Sequence, residues 1–216
     1  MTTPSSRSVE LQAAGVVLEG DLIAPDNATG IVVFAHGSGS SRFSSRNQQV
    51  ARYLSEQGLA TLLFDLLTPE ENEVDERTRE LRFDIDLIGT RMSGAVDWIA
   101  QARETQNLNV GLFGASTGAA AALIAAAERP DKVSAVVSRG GRPDLAGDFL
   151  PRVKAPTLLL VGGLDETVID LNEQAKARMH APCELTIVPG ATHLFEEPGK
   201  LDEVQEHATR WFREYL

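Results

Sequence analysis

The chain has 216 residues, 43% of them hydrophobic, which suits one domain with a substantial core. With 20 Lys and Arg against 31 Asp and Glu, its formal net charge is −11, and this argues against non-specific binding to nucleic acid or an anionic membrane, which needs a basic face. The single cysteine, Cys183, excludes an internal disulfide.

Residues 1–8 are polar and carry no apolar core before a small-residue cleavage site, so no secretory signal is expected there. No apolar run reaches bilayer length, and a cytoplasmic location follows as the expectation. Segments 8–13 and 16–24 read as two strands of a hairpin turning near Ala14 and Gly15. Six nearly continuous apolar runs follow, at 31–35, 60–64, 110–114, 133–138, 157–161 and 184–188. Strands buried on both faces have this character, and they are usually parallel.

Helical spacing fills the intervals. Val50 and Leu54 mark 47–57, and Ile85, Ile88, Met92, Val96 and Ile99 share one face of 81–102. An Ala-rich helix is expected over 117–127, another over 168–179, and a last one over 201–215. Alternating strand and helix predicts a single α/β domain over 1–216, with helices on both faces of a mostly parallel sheet. Segment 65–78 interrupts this pattern. It is strongly acidic, follows a strand end, and reads as a solvated loop leading into a helix, with a flap over a site as the alternative.

Gly114-Ala115-Ser116-Thr117-Gly118 is a G-x-S-x-G pentapeptide between an expected strand and an expected helix. That context is what a nucleophile elbow needs: a sharp turn that exposes the serine hydroxyl, flanked by residues too small to clash. A serine is activated by a neighbouring base. Of the four histidines, His180 lies at a helix end, His207 lies inside the last helix, and His36 precedes the nucleophile. His193 follows the last strand in a short loop at the sheet's C-terminal edge and is the expected base. Asp165, in Gly162-Gly163-Leu164-Asp165, lies at the same edge and can orient the imidazole; Asp144 is its rival. Asp165 could equally serve as a helix N-cap. The chain order Ser, Asp, His is the one used by α/β-hydrolases.

Acyl chemistry through a serine needs two oxyanion donors. One is expected at the Thr117 N–H. The other is expected at the Ser38 N–H, with Gly37 as second choice, in the loop His36-Gly37-Ser38-Gly39-Ser40 that His36 would brace. The same loop places glycines at two positions of a dinucleotide fingerprint, but Arg42 stands at the third.

On these three motifs and Gly190-Ala191-Thr192-His193 the sequence resembles the dienelactone hydrolase-like branch of the α/β-hydrolases over nearly its whole length. The resemblance implies the α/β-hydrolase fold with an eight-stranded sheet, no separate cap domain and no cofactor, and acyl-ester hydrolysis with Ser116 as nucleophile, Asp165 as acid and His193 as base. The enzyme that names the family uses a cysteine nucleophile. Serine stands at 116 here, so general carboxylesterase activity is what carries over, and Cys183 is expected to be a buried structural thiol. The expected partner is a small ester, lactone or thioester rather than nucleic acid or a membrane, and a homodimer is among the expected assemblies. Acyl transfer to another acceptor, and a non-catalytic binding protein on this fold, are the alternatives. Arg139, at a strand's C-terminal end, could reach the pocket and hold a substrate carboxylate, as could Arg42 or Arg46, with surface pairing of these arginines as the plainer expectation. Arg142 has no assigned role.

Overall fold

A computed structural model describes Ser6–Leu216, so residues 1–5 of the polar N-terminal segment lie outside the described residues. The architecture is the expected α/β-hydrolase fold: one eight-stranded sheet in the order β1-β2-β4-β3-β5-β6-β7-β8. β1 (Arg7–Ala13) and β2 (Val16–Ile23) form an antiparallel hairpin, and β2 joins β4 (Ala60–Phe64) antiparallel. The hairpin turn uses Ala14 and Gly15, both at positive φ, the two-residue geometry whose twist matches the strands. From β4 onward, through β3 (Gly30–Ala35), β5 (Asn109–Ala115), β6 (Val133–Arg139), β7 (Thr157–Gly162) and β8 (Cys183–Val188), neighbours are parallel. Every residue of β3, β4 and β7 is buried, as their unbroken apolar runs require.

Two cores cover the faces. α3 (Ile85–Ile99) and α4 (Gly118–Glu128) pack Met92, Val96, Leu123 and their neighbours against Val33, Leu112 and Val136. α1 (Ser45–Glu56) and α6 (Lys200–Tyr215) pack Leu54, Val204 and Phe212 against Phe34, Phe113 and Val137 on the opposite face. α5 (Glu166–Arg178) follows β7. No helix among the described residues is long and apolar enough to cross a membrane.

Two regions differ from the sequence expectation. Segment 65–78 is largely helical: α2 spans Pro69–Thr78. Thr68 caps it through a reciprocal capping box with Glu71, with Pro69 in the first turn, and these local signals outweigh the polarity that suggested a loop. The expected helix over 81–102 divides into a 3-10 turn, Leu81–Phe83, and α3, because the Asp84 side chain accepts the Leu87 N–H and starts a new helix. A further 3-10 stretch, Pro143–Arg152, broken at Gly147, lies between β6 and β7.

Candidate active site

β5 ends at Ala115, and Ser116 turns the chain into α4 at φ +52°. A residue with a Cβ is costly in this left-handed region, by about 1–2 kcal/mol, so the turn must be held from outside. The Ser116 N–H donates to the Arg139 carbonyl at 3.3 Å, and the Ser116 carbonyl accepts from Arg142 N–H at 3.0 Å and Ala119 N–H at 3.1 Å. The close approach also depends on Gly118: a Cβ there would meet the Ala35 carbonyl oxygen at 2.3 Å. The Ser116 turn, the first turn of α4 and the loop after β3 therefore pack backbone to backbone.

His193 stands in the loop between β8 and α6, and its Nδ1 lies 2.7 Å from Asp165 Oδ2. Asp165 occupies the N-cap position of α5, yet its side chain makes no cap hydrogen bond; the carboxylate turns to the imidazole instead. Asp144 is held by Arg142 through two bonds of 2.8 Å, which removes it as the partner of His193. His180 is exposed, and His207 bonds Arg210 on α6. The His193 loop is itself anchored by Glu197, whose carboxylate accepts the Thr192 N–H at 3.1 Å and the Thr192 hydroxyl at 2.5 Å. No sequence pattern singled out Glu197. The structure sets His193 against Asp165 directly, while the Ser116 hydroxyl has no hydrogen-bond partner among the described residues.

The loop after β3 is braced by His36. Its Nε2 accepts the Leu66 N–H at 3.1 Å, so Nδ1 carries the proton and donates to the Gly37 carbonyl at 3.0 Å. Burial lowers the pKa of this histidine, in keeping with a neutral ring. Arg42 ties the same loop to β2 and to the end of β4 through Glu19, Asp21 and Asp65, and so is occupied by protein carboxylates. The Ser38 N–H donates to the Thr117 hydroxyl at 2.9 Å, whereas the Thr117 N–H has no acceptor among the described residues. Gly37 lies against Ser116: a Cβ added to it would sit 3.2 Å from Ser116 Cβ.

A cavity of about 290 Å³ opens beside this loop, lined among others by His36, Ser38, Thr117, Asn72 and Asp75. α2 thus forms one wall of it. That wall is fixed by the Asp75–Arg82 pair at 2.6 Å and by Glu71–Arg91 at 2.6 Å. Arg139 is buried and its Nη2 donates to Asn47 Oδ1 on α1 at 3.2 Å. Cys183, at the start of β8, is partly buried, and burial pushes its thiol up to about 11, so a thiolate is not available there at neutral pH.

The sequence profile of the dienelactone hydrolase family matches residues 18–216. The chain belongs to the dienelactone hydrolase family. A dienelactone hydrolase from Anabaena variabilis superposes with a TM-score of 0.98 at 58% identity, each chain covered completely. The ferulic acid complex of Est1E from Butyrivibrio proteoclasticus shares the fold at a TM-score of 0.79 and 19% identity, covering 96% of this chain and 98% of that one. A protein of Mycobacterium tuberculosis named "putative phosphoribosyl transferase" is 56% identical over 215 residues, 99% of this chain and 48% of that protein. The chain therefore spans about half the length of the curated relatives it matches at 56% identity. An Aquifex aeolicus protein named "putative carboxymethylenebutenolidase" is 22% identical, covering 96% of this chain and 98% of that protein.

Proposed function

We propose that this member of the family is a serine hydrolase that cleaves a small carboxylic ester, lactone or thioester through an acyl-enzyme on Ser116. The observation that carries the reading is the left-handed turn at Ser116, a strained conformation maintained by hydrogen bonds from β6 and the turn after it.

The His193–Asp165 contact supplies the rest of the chemistry. With Nδ1–H donating to Asp165, His193 Nε2 carries the lone pair and serves as the base. Nε2 takes the hydroxyl proton as Ser116 Oγ attacks the carbonyl carbon. The carbonyl oxygen becomes an oxyanion held by the Thr117 N–H and, once its bond to the Thr117 hydroxyl is exchanged, by the Ser38 N–H. Collapse breaks the bond to the leaving group, which takes the proton from His193. Water then repeats the sequence and frees the acid. The α4 N-terminus adds positive partial charge beside the oxyanion.

A fluorophosphonate probe tests this reading. It should label the protein at Ser116, as read by peptide mass spectrometry, and labelling should vanish in Ser116→Ala. Undiminished labelling of Ser116→Ala would overturn the assignment.

A further inference from the structure

Arg139 reaches the first turn of α1, to which Arg46 belongs, and among the described residues neither arginine has a carboxylate partner. Arg139 ends β6, in register with Ala115, the residue before the nucleophile. Strand alternation puts its side chain on the face of Val137, toward α1, where it meets Asn47. Arg46 precedes Asn47 in the first turn of α1. The Nε atoms of both arginines are buried and without a hydrogen-bond partner.

Orphaned Nε atoms also occur at Arg42 and Arg91, but both of those guanidinium groups hold a carboxylate through another nitrogen. Arg91, 4% exposed, is paired with Glu71; Arg42, Arg82, Arg129 and Arg142 each hold an acid. Arg139 is only 6% exposed, and burial followed by the charge of Arg46 pulls its pKa down to about 10. A chain with 31 acidic residues has carboxylates to spare, yet leaves this pair without one. Buried, unpaired cations are costly, and two close together cost more. The Asn47 and Gln48 N–H groups are taken by Ser44, which leaves the N–H groups of Ser45 and Arg46 in that turn to favour the same sign of ligand.

We infer that Arg46 and Arg139, with the first turn of α1, form a subsite for a small oxyanion, either a carboxylate or a phosphate, next to the nucleophile elbow. The anion is either the charged end of an acyl substrate or a free anion bound beside it. The first case rests on the serine hydrolase reading; the second does not.

Two measurements separate these cases. The first is calorimetry and thermal unfolding of the Ser116→Ala protein with inorganic phosphate and with succinate, at ionic strength balanced with chloride. Saturable binding and a raised Tm are expected, both lost when Arg46→Gln is added. Arg46 is partly exposed and pairs with no acid, so this variant should fold even if Arg139→Met does not. The second is the ratio of kcat/KM for mono-p-nitrophenyl succinate to that for p-nitrophenyl acetate, in otherwise wild-type protein. If the substrate supplies the anion, Arg46→Gln should lower this ratio by about tenfold, the scale of one charge-assisted hydrogen bond. Anion binding with an unmoved ratio assigns the subsite to a free anion. Anion binding that depends on Arg46 in a protein with no esterase activity keeps the subsite and removes the hydrolase reading. If neither phosphate nor succinate binds and the ratio is unmoved by Arg46→Gln, the inference is overturned.

Discussion

His193 Nδ1 and Asp165 Oδ2 lie 2.7 Å apart although 28 residues separate them in sequence. The contact fixes the tautomer of the imidazole and leaves Nε2 free. Asp165→Asn would donate to Nδ1 and force the proton onto Nε2. We expect kcat/KM on p-nitrophenyl esters to fall by about 10⁴-fold, the loss typical of this change in a Ser-His-Asp triad, with far-ultraviolet circular dichroism unchanged. Asp144→Asn should cost less than about tenfold, because Asp144 serves Arg142.

Gly162 closes β7 where the acid and base loops touch. A Cβ there would meet the Ala191 carbonyl oxygen at 2.4 Å and that of Thr192 at 2.6 Å. Gly162→Ala should therefore displace the His193 loop. The expected outcome is a stability loss of about 1–3 kcal/mol by urea titration and an activity loss out of proportion to it. At Gly163 the nearest atom would be 3.3 Å away, and Gly163→Ala should be milder on both measures.

The turn at Ser116 gives a stability test independent of catalysis. Gly tolerates φ +52° and Ala does not. Ser116→Gly should be more stable than Ser116→Ala by about 0.5–1 kcal/mol, compared in parallel urea unfolding curves, with both variants inactive. Equal stabilities would show that the turn carries no backbone strain.

His36 predicts a pH dependence of folding. Burial holds its pKa below the ordinary 6.5, and the neutral ring accepts the Leu66 N–H through Nε2. A base with a depressed folded-state pKa takes up its proton more readily when unfolded. Stability is then greatest above about pH 6.5 and declines as pH falls from there toward the folded-state value. The unfolding midpoint should drop between pH 7.5 and 5.5, and the slope should flatten in His36→Asn.

α2 forms a wall of the cavity and is tied down by the buried Asp75 carboxylate, which accepts from Arg82 Nε at 2.6 Å. Asp75→Asn removes the charge that Arg82 pairs with. KM for a neutral ester should rise several-fold, with kcat changed less, because the triad lies outside this wall. An equal fall in kcat would mean that α2 also aligns the reacting groups.

Strand positions were legible because two-sided burial writes continuous apolar runs, and β4 matches its expected bounds residue for residue. The candidate site residues stand out in the sequence for a related reason. Ser116, Asp165 and His193 each follow a strand end, and the parallel sheet brings those ends to one edge. α2 was harder to see because its polarity describes a surface helix and a loop equally well. Its capping box, Thr68 to Glu71, was the signal that distinguished them. Asn47 and Glu197 could not be found in sequence at all. Each acts through a contact with a residue on another element or loop turn, Asn47 with Arg139 and Glu197 with Thr192, and neither contact leaves a periodic or motif signature. Arg139 was visible as a strand-end cation, but its lack of an acid is a property of packing.

The sheet itself divides the candidate triad. β5 and β6 pair from Val110 to Ala115, and β7 and β8 pair from Thr157 to Gly162. Between these ladders, β6 meets β7 only over Val136–Arg139 and Thr157–Leu160. This shorter seam separates the strand that carries the serine from the two that carry the acid and base. Shear along it would alter the reach from His193 to Ser116 and leave the imidazole–carboxylate contact untouched. Under the proposed mechanism, substitutions in the seam, far from any reacting atom, should alter turnover.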